Sequence, residues 1–209
     1  MNTKDTASTP PAEEAKPVET TLYTHPEVTE TRPQSLECDV VRFQNNKEKW
    51  VAFVGLLNGY PYEIFTGLQD DDEGIVLPKS VVKGHILKVV NPDCTKRYDF
   101  QFKNKRGYKT TVEGLSEKFN KEYWNYAKLI SSVLRYRMPL ERVVRLVSQL
   151  ELDNESINNW KNGVARALKK YIKDGTPATG QICPSCHQQT LIYQDGNLVC
   201  SSCGATVRS

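Results

Sequence analysis

Apolar and polar residues alternate with a period of two in part of the middle of the chain. Within residues 97–103, aromatic side chains alternate with polar ones, which is typical of a strand with one buried face. Runs rich in β-branched and aromatic residues recur between residues 36 and 114, and Asn58 and Gly59 give a strong type I′ turn signal between two of them. The pattern predicts an antiparallel sheet of roughly six strands.

The spacing of apolar residues changes to a helical period after Gly114. Residues 119–173 carry three apolar stripes at this period, and Pro139 fits the first turn of the second helix. A sheet that is covered on one face by two or three helices defines an α+β fold. We therefore predict an α+β domain over residues 32–175, with its sheet at 36–114.

Two features of this domain could suggest a ligand site, and we assign a ligand to neither. Trp160 lies on an apolar stripe whose helix Asn154 or Ser156 would cap, so we interpret Trp160 as a core residue rather than a ligand platform. The acidic run at 70–74 lacks the regular ligand spacing of a calcium loop, and we interpret it as a solvated loop.

Residues 1–31 differ from the rest of the chain in composition and charge. They are rich in Pro and Thr, and they carry two basic against six acidic side chains, a net charge of −4. Because such a segment can bury little apolar surface, we predict a disordered acidic tail. The whole chain has a net charge of +3, so residues 32–209 carry +7. This charge is modest, and we expect nucleic acid not to be a partner.

Hydropathy bears on the expected compartment. The mean hydropathy is −0.56, and no apolar run approaches the roughly 18 residues of a membrane span. The first residues lack the basic and apolar regions of a secretory signal. We therefore expect no membrane association and a cytoplasmic location.

The six cysteines carry the most specific chemical signal. Cys38 and Cys94 stand alone, and we interpret them as half-buried small side chains. The other four form two Cys-x-x-Cys pairs separated by thirteen residues: Cys183, Cys186, Cys200 and Cys203. Each pair can bend into a knuckle whose two thiolates bind one metal, and four sulfurs in tetrahedral reach suit Zn²⁺. We predict a structural zinc ribbon at 180–209.

This metal site leaves alternatives open. Iron binds to the same ligand spacing, and His187 adjoins Cys186 closely enough to replace one sulfur, although the four cysteines suffice without it. A module of about thirty residues has no useful core, so metal binding would supply its folding free energy. Zinc ribbons can be structural, bind nucleic acid or dock a partner, and an accessible cysteine pair can exchange electrons with thioredoxin.

Several segments share a collinear resemblance to one family. They are Arg32-Pro33, residues 50–55, 58–67, 98–102, 119–130, 138–140 and 160–170, and the terminal cysteine pairs. Together they resemble the C-terminal region of adenosylcobalamin-dependent (class II) ribonucleoside-diphosphate reductases, in the bacterial form that carries a TSCPD-type domain. The resemblance extends from about residue 32 to 204.

The resemblance implies an accessory subunit in deoxyribonucleotide synthesis. The catalytic barrel, the radical cysteine and the cobalamin site of the family have no counterpart in this sequence, so this chain would not catalyse the reaction alone. It would dock to a separate catalytic chain, and adenosylcobalamin would belong to that partner. In the family the terminal cysteines relay electrons from thioredoxin, which implies a redox-relay role for Cys183, Cys186, Cys200 and Cys203.

One departure from the family pattern bears on that relay. Family tails commonly continue to a further cysteine, whereas this sequence continues as residues 204–209 without one. If all four thiolates hold zinc, none is available to carry electrons. The alternatives are a stand-alone zinc-ribbon binding or regulatory protein derived from the same domain, and an independent redox protein with metal-free thiols.

Overall fold

A computed structural model describes residues 31–72, 74–152, 156 and 158–207. Residues 1–30 of the predicted tail lie outside the described residues. The main sheet contains six antiparallel strands in the order β3-β2-β1-β4-β5-β6. Its strands are β1 (Ser35–Asn45), β2 (Glu48–Leu57), β3 (Tyr60–Leu68), β4 (Lys83–Val90), β5 (Lys96–Lys103) and β6 (Lys109–Val112).

Helices follow the sheet and complete the α+β fold that the sequence predicts. They are α1 (Leu115–Lys118), α2 (Lys121–Arg135), α3 (Leu140–Ser148) and α4 (Trp160–Lys169). The first is a single turn shortly after β6, and it adds to the two or three helices that the sequence predicts. No helix in the described part of the chain is both long and apolar enough to cross a membrane.

Tight turns of left-handed backbone join the first three strands. Asn58 and Gly59 have φ angles of 54° and 77° and connect β2 to β3, as their type I′ signal predicts. Asn46, with a φ of 56°, begins the turn between β1 and β2. Asparagine tolerates this conformation better than most residues do, so these turns fix the register of the hairpins.

Both faces of the central strands are buried. On β2, Trp50, Ala52 and Val54 belong to a core that the sheet shares with helices α2–α4. Val51 and Phe53 of the same strand belong to a second core on the opposite face. Because both faces are covered, β2 is apolar at nearly every position instead of alternating, which is typical of a strand buried on two sides.

The sheet is strongly curved around the second core. The rings of Phe65 on β3 and Tyr98 on β5 lie 5.1 Å apart, although three strands separate them in the sheet order. Phe53 and Phe100 are closer still, at 4.5 Å. Only a sheet that bends toward this side brings such strands together, so aromatic packing closes the concave face.

Trp160 is a core residue, as we interpreted it from the sequence. Its side chain is 1% exposed, and its indole N–H donates to the Thr66 hydroxyl at 2.9 Å. The helix cap differs from our prediction, because Asn159 caps α4 and accepts the N–H of Asn162 at 2.9 Å. Ser156 instead donates its hydroxyl to the Asn158 carbonyl.

The other predicted cap, Asn154, lies outside the described residues.

A buried ion cluster ties the start of the fold to α2. Glu63 is fully buried and accepts two hydrogen bonds from Arg32, at 2.6 and 2.8 Å. Arg135 of α2 lies 3.4 Å from the same carboxylate. Gly55 on the neighbouring strand makes room, since a Cβ there would lie 2.7 Å from the Glu63 side chain. Burying a charged side chain is costly unless it has such partners.

The Ser131 side chain on α2 forms hydrogen bonds with the backbone of β3, the edge strand of the sheet. Replacing Ser131 therefore tests the packing of α2 on the sheet. Its hydroxyl accepts the Ile64 N–H at 3.0 Å and donates to the Ala127 carbonyl at 2.7 Å. We expect Ser131→Ala to lower the free energy of unfolding by about 1–3 kcal/mol, because a buried N–H loses its acceptor. Ser132→Ala, at the exposed neighbour, should change it by less than about 0.5 kcal/mol. Equal effects in urea titrations would contradict this role of Ser131.

Candidate metal centre

The C-terminal part of the chain forms a second, smaller sheet. Its strands are β7 (Leu191–Gln194), β8 (Asn197–Cys200) and β9 (Thr206–Val207). Asp195 and Gly196, with φ angles of 48° and 72°, form the hairpin turn between β7 and β8. The sequence Asp195-Gly196-Asn197 between two short apolar runs predicts a hairpin turn here, and in the structure Asn197 already begins β8.

Two matching knuckles hold the cysteine pairs. The residue after each pair, His187 or Gly204, has a left-handed backbone, with φ angles of 58° and 72°. Its N–H donates to the carbonyl of the first cysteine of that pair, over 2.8 Å to Cys183 and 2.9 Å to Cys200. This repeated bend turns both sulfurs of a pair toward the same side.

The four sulfurs converge on one point. The ligand atoms of Cys183, Cys186, Cys200 and Cys203 all lie within 4.8 Å of one another. The Sγ atoms of Cys183 and Cys203 are 3.7 Å apart, and those of Cys186 and Cys200 are 3.6 Å apart. Four sulfurs at about 2.3 Å from a tetrahedral zinc ion would lie about 3.8 Å from one another. The cluster could therefore bind a metal such as zinc.

Hydrogen bonds favour the thiolate form that a metal requires at two of the four cysteines, Cys183 and Cys200. The Thr190 hydroxyl lies 3.1 Å from the Cys200 sulfur, and this hydrogen bond lowers the pKa of the Cys200 thiol to about 6. The backbone N–H of Cys186 lowers the pKa of Cys183 in the same way. Donors that point at sulfur stabilise negative charge at these two positions. Burial and the neighbouring sulfurs raise the pKa of Cys186 and Cys203, so those two thiols must lose their protons when a metal binds.

The remaining candidate ligands lie elsewhere. His187 is exposed and is not part of the cysteine cluster, so four sulfurs make up the group without it. The structure corrects our interpretation of the two lone cysteines, because neither is half-buried. Cys38 is 2% exposed, and burial raises the pKa of its thiol, whereas Cys94 is exposed in a turn with a φ of 65°.

In the acidic loop, Asp70–Asp72 are exposed, as expected for a solvated segment.

The cysteine module packs against the α+β domain rather than standing apart. Leu191, Tyr193 and Leu198 belong to the same hydrophobic cluster as α3 and α4. The segment 175–178 runs beside β7, where Ala178 N–H donates to the Leu191 carbonyl at 2.8 Å. The sequence gives no signal for this contact, since it reveals only the pattern within each module.

Replacing Thr190 tests whether its hydrogen bond to Cys200 favours zinc binding. We expect Thr190→Val to lower zinc affinity about tenfold, because residues that contact metal ligands contribute on this scale. Loss of the hydrogen bond raises the pKa of Cys200, so protons displace zinc at a higher pH than in the unmodified chain. Zinc release during an acid titration, followed with a chromogenic chelator, measures the shift. Thr206→Val, at an exposed position on β9, should release zinc at the original pH.

Fold and site together define a class: an α+β domain with a strongly curved antiparallel sheet, joined to a four-cysteine ribbon that could bind a metal. Within that class, the chain belongs to the family described as NrdJ homologue C-terminal domain, whose model matches residues 36–173. This match links the chain to class II ribonucleotide reductase, as the resemblance implies. The matched region ends before the cysteine module. No curated protein and no solved structure matches the chain.

Proposed function

We propose that this chain is an accessory subunit of a class II ribonucleotide reductase. The observation that carries the proposal is the family match over residues 36–173, which covers nearly all of the six-stranded sheet and helices α1–α4. In this proposal the chain docks to a separate catalytic chain, which holds adenosylcobalamin, and acts in the cytoplasm in deoxyribonucleotide synthesis. In this proposal the catalytic barrel belongs to that separate chain.

The cysteine ribbon holds structural zinc in this proposal. All four sulfurs lie within 4.8 Å of one another, so one ion takes all four as ligands. Since the ribbon shares a hydrophobic cluster with α3 and α4, the metal also stabilises the surface around those helices.

Electron relay is the second role that the ribbon could have. In a relay, thioredoxin gives two electrons and two protons to a ribbon disulfide, and the resulting dithiol gives them to the disulfide of the catalytic chain. The pair that carries them must leave the metal during each turnover. Cys203 supports this role, because its side chain is exposed and therefore accessible to a partner.

Steady-state turnover of the catalytic chain with thioredoxin tests both roles. Adding this chain is expected to raise thioredoxin-driven turnover. The proposal fails if turnover stays the same and this chain does not bind to the catalytic chain. A small dithiol that reduces the catalytic chain directly separates the roles. If Cys203→Ser abolishes thioredoxin-driven turnover but leaves dithiol-driven turnover intact, the ribbon is a relay. If Cys203→Ser changes thioredoxin-driven and dithiol-driven turnover only as far as it weakens binding to the catalytic chain, the ribbon is structural.

A further inference from the structure

A cavity lies where the cysteine module meets α3. It has a volume of about 500 Å³, and its walls come from α3 and the turn before it, from the segment before the first cysteine pair and from β7. Sites for small ligands often lie where two structural units meet, and their volumes fall in this range. The residues that line it include Met138, Glu141, Arg142, Arg145, Leu146 and Tyr193.

The Tyr193 hydroxyl in this cavity has no hydrogen-bond partner in the described part of the chain. The residue is 1% exposed, and none of the described residues forms a hydrogen bond with its hydroxyl. A tyrosine this deeply buried usually has such a partner, because an unsatisfied polar group is costly to bury. Burial and the nearby carboxylate of Glu141 raise the pKa of Tyr193, so the hydroxyl stays protonated at neutral pH. It is therefore available to a ligand.

The same cavity contains charges of both signs. Glu141 and Arg142 are consecutive on α3, so their side chains leave the helix about 100° apart, and Arg145 lies one turn beyond Arg142. The other lining residues are uncharged, so the net charge is +1. No salt bridge joins any of the three to another described residue. Arg145 instead donates to the Thr179 carbonyl at 3.4 Å. Both signs of charge are therefore left for a ligand.

The lining offers contacts of three chemical kinds. Glu141 lies close enough to Tyr193 to raise its pKa, so the carboxylate and the hydroxyl oxygen together offer acceptors to an ammonium group. The two arginines of α3 offer guanidinium donors, which suit a carboxylate. Met138 and Leu146 are 37% and 44% exposed and add an apolar wall. An ammonium group, a carboxylate and an apolar side chain are the three parts of an apolar α-amino acid.

We propose that this cavity binds an α-amino acid with an apolar side chain, such as leucine. The ammonium group contacts Glu141 and the Tyr193 hydroxyl, and the carboxylate contacts the two arginines. A zwitterion has no net charge, so it supplies a partner to each unpaired charge without adding net repulsion. The ligand contacts α3 and β7 together, so it also holds the cysteine module on the α+β domain. This inference does not depend on the proposed reductase role.

Titration of the full, zinc-loaded chain with leucine tests the proposal. We expect saturable shifts of the backbone amide NMR signals of α3 and of residues 178–181. Three probes each lack one part of leucine: 4-methylpentanoate has no ammonium group, 3-methylbutylamine has no carboxylate, and glycine has no apolar side chain. Each should bind about tenfold more weakly, because a charged hydrogen bond or an apolar contact is lost. Absence of saturable shifts with leucine, or equal affinity for any of the three probes, would overturn the proposal.

Substitutions in the cavity give an independent test. Arg142→Gln and Glu141→Gln should each lower the affinity for leucine about tenfold. Arg106→Gln, at an exposed position in the turn between β5 and β6, should leave this affinity unchanged. Equal effects of the two arginine substitutions would overturn the proposal.

Tyr193→Phe separates binding from structure, because it removes only the hydroxyl. This hydroxyl has no partner among the described residues, so the urea midpoint of unfolding should not fall. The affinity for leucine should fall about fivefold, because the ammonium group loses one acceptor. A lower urea midpoint, or unchanged affinity for leucine, would contradict the assigned role of the hydroxyl and overturn the proposal.

Discussion

Cys200→Ser is expected to release the metal and to unfold the cysteine ribbon. Metal binding supplies about 10–16 kcal/mol of apparent free energy in small zinc modules, far more than the core of three short strands can supply. The effect should extend beyond the ribbon, since Leu191, Tyr193 and Leu198 pack with α3 and α4. Zinc content and hydrogen exchange of β7, β8 and α3 measure both effects.

The lone Cys94 offers a matched control for this substitution. It is exposed in the turn between β4 and β5, and it is not part of the four-sulfur cluster. Cys94→Ser should therefore keep one zinc per chain and leave exchange in the ribbon unchanged. If Cys200→Ser retained zinc to the same extent, the four-sulfur site would be contradicted.

Trp160→Ala should lower the free energy of unfolding by about 3–5 kcal/mol, because a large buried aromatic ring leaves a cavity. The ring packs against Tyr123 and Tyr126, at centroid distances of 5.4 and 5.8 Å. The substitution also removes the hydrogen bond from the indole to Thr66. Urea denaturation of the full chain measures the change.

Trp160→Phe separates the two contributions. Phenylalanine keeps most of the apolar contact area but cannot donate to Thr66, so about 1–3 kcal/mol should be lost. A loss below about 1 kcal/mol for Trp160→Ala would contradict the central position of this ring in the core.

The sequence predicts those elements whose cause is local. The alternation of residues 97–103 and the turn at Asn58 and Gly59 depend on neighbours along the chain, and both are present. The converging cysteine pairs are likewise encoded by their spacing. The helix stripes also predict the correct buried side, because apolar residues at helical spacing must face a core.

The features that were missed depend on contacts between distant residues. The cap of α4 is Asn159 rather than Asn154 or Ser156, because several polar residues precede the helix and the sequence pattern does not distinguish among them. The buried position of Glu63 requires Arg32, which is thirty-one residues away. Neither a propensity nor a period identifies such a pair.

The cysteine ribbon shows the same limit on a larger scale. Its four ligands follow from spacing alone, but its contact with α3 and α4 does not. Tyr193 is 1% exposed because the segment 175–178 and the helices cover it. A sequence predicts which face of a hairpin is apolar, and only the folded chain shows what that face contacts.

The binding of this chain to a class II reductase is the most direct test of the account. The tagged full chain would be captured from its native lysate, and the class II catalytic chain would be quantified by mass spectrometry against an untagged control. We expect the catalytic chain to be enriched with the tagged protein and to be absent from the control. A lysate that contains the catalytic chain, but from which the tagged protein recovers none, would contradict the proposed subunit.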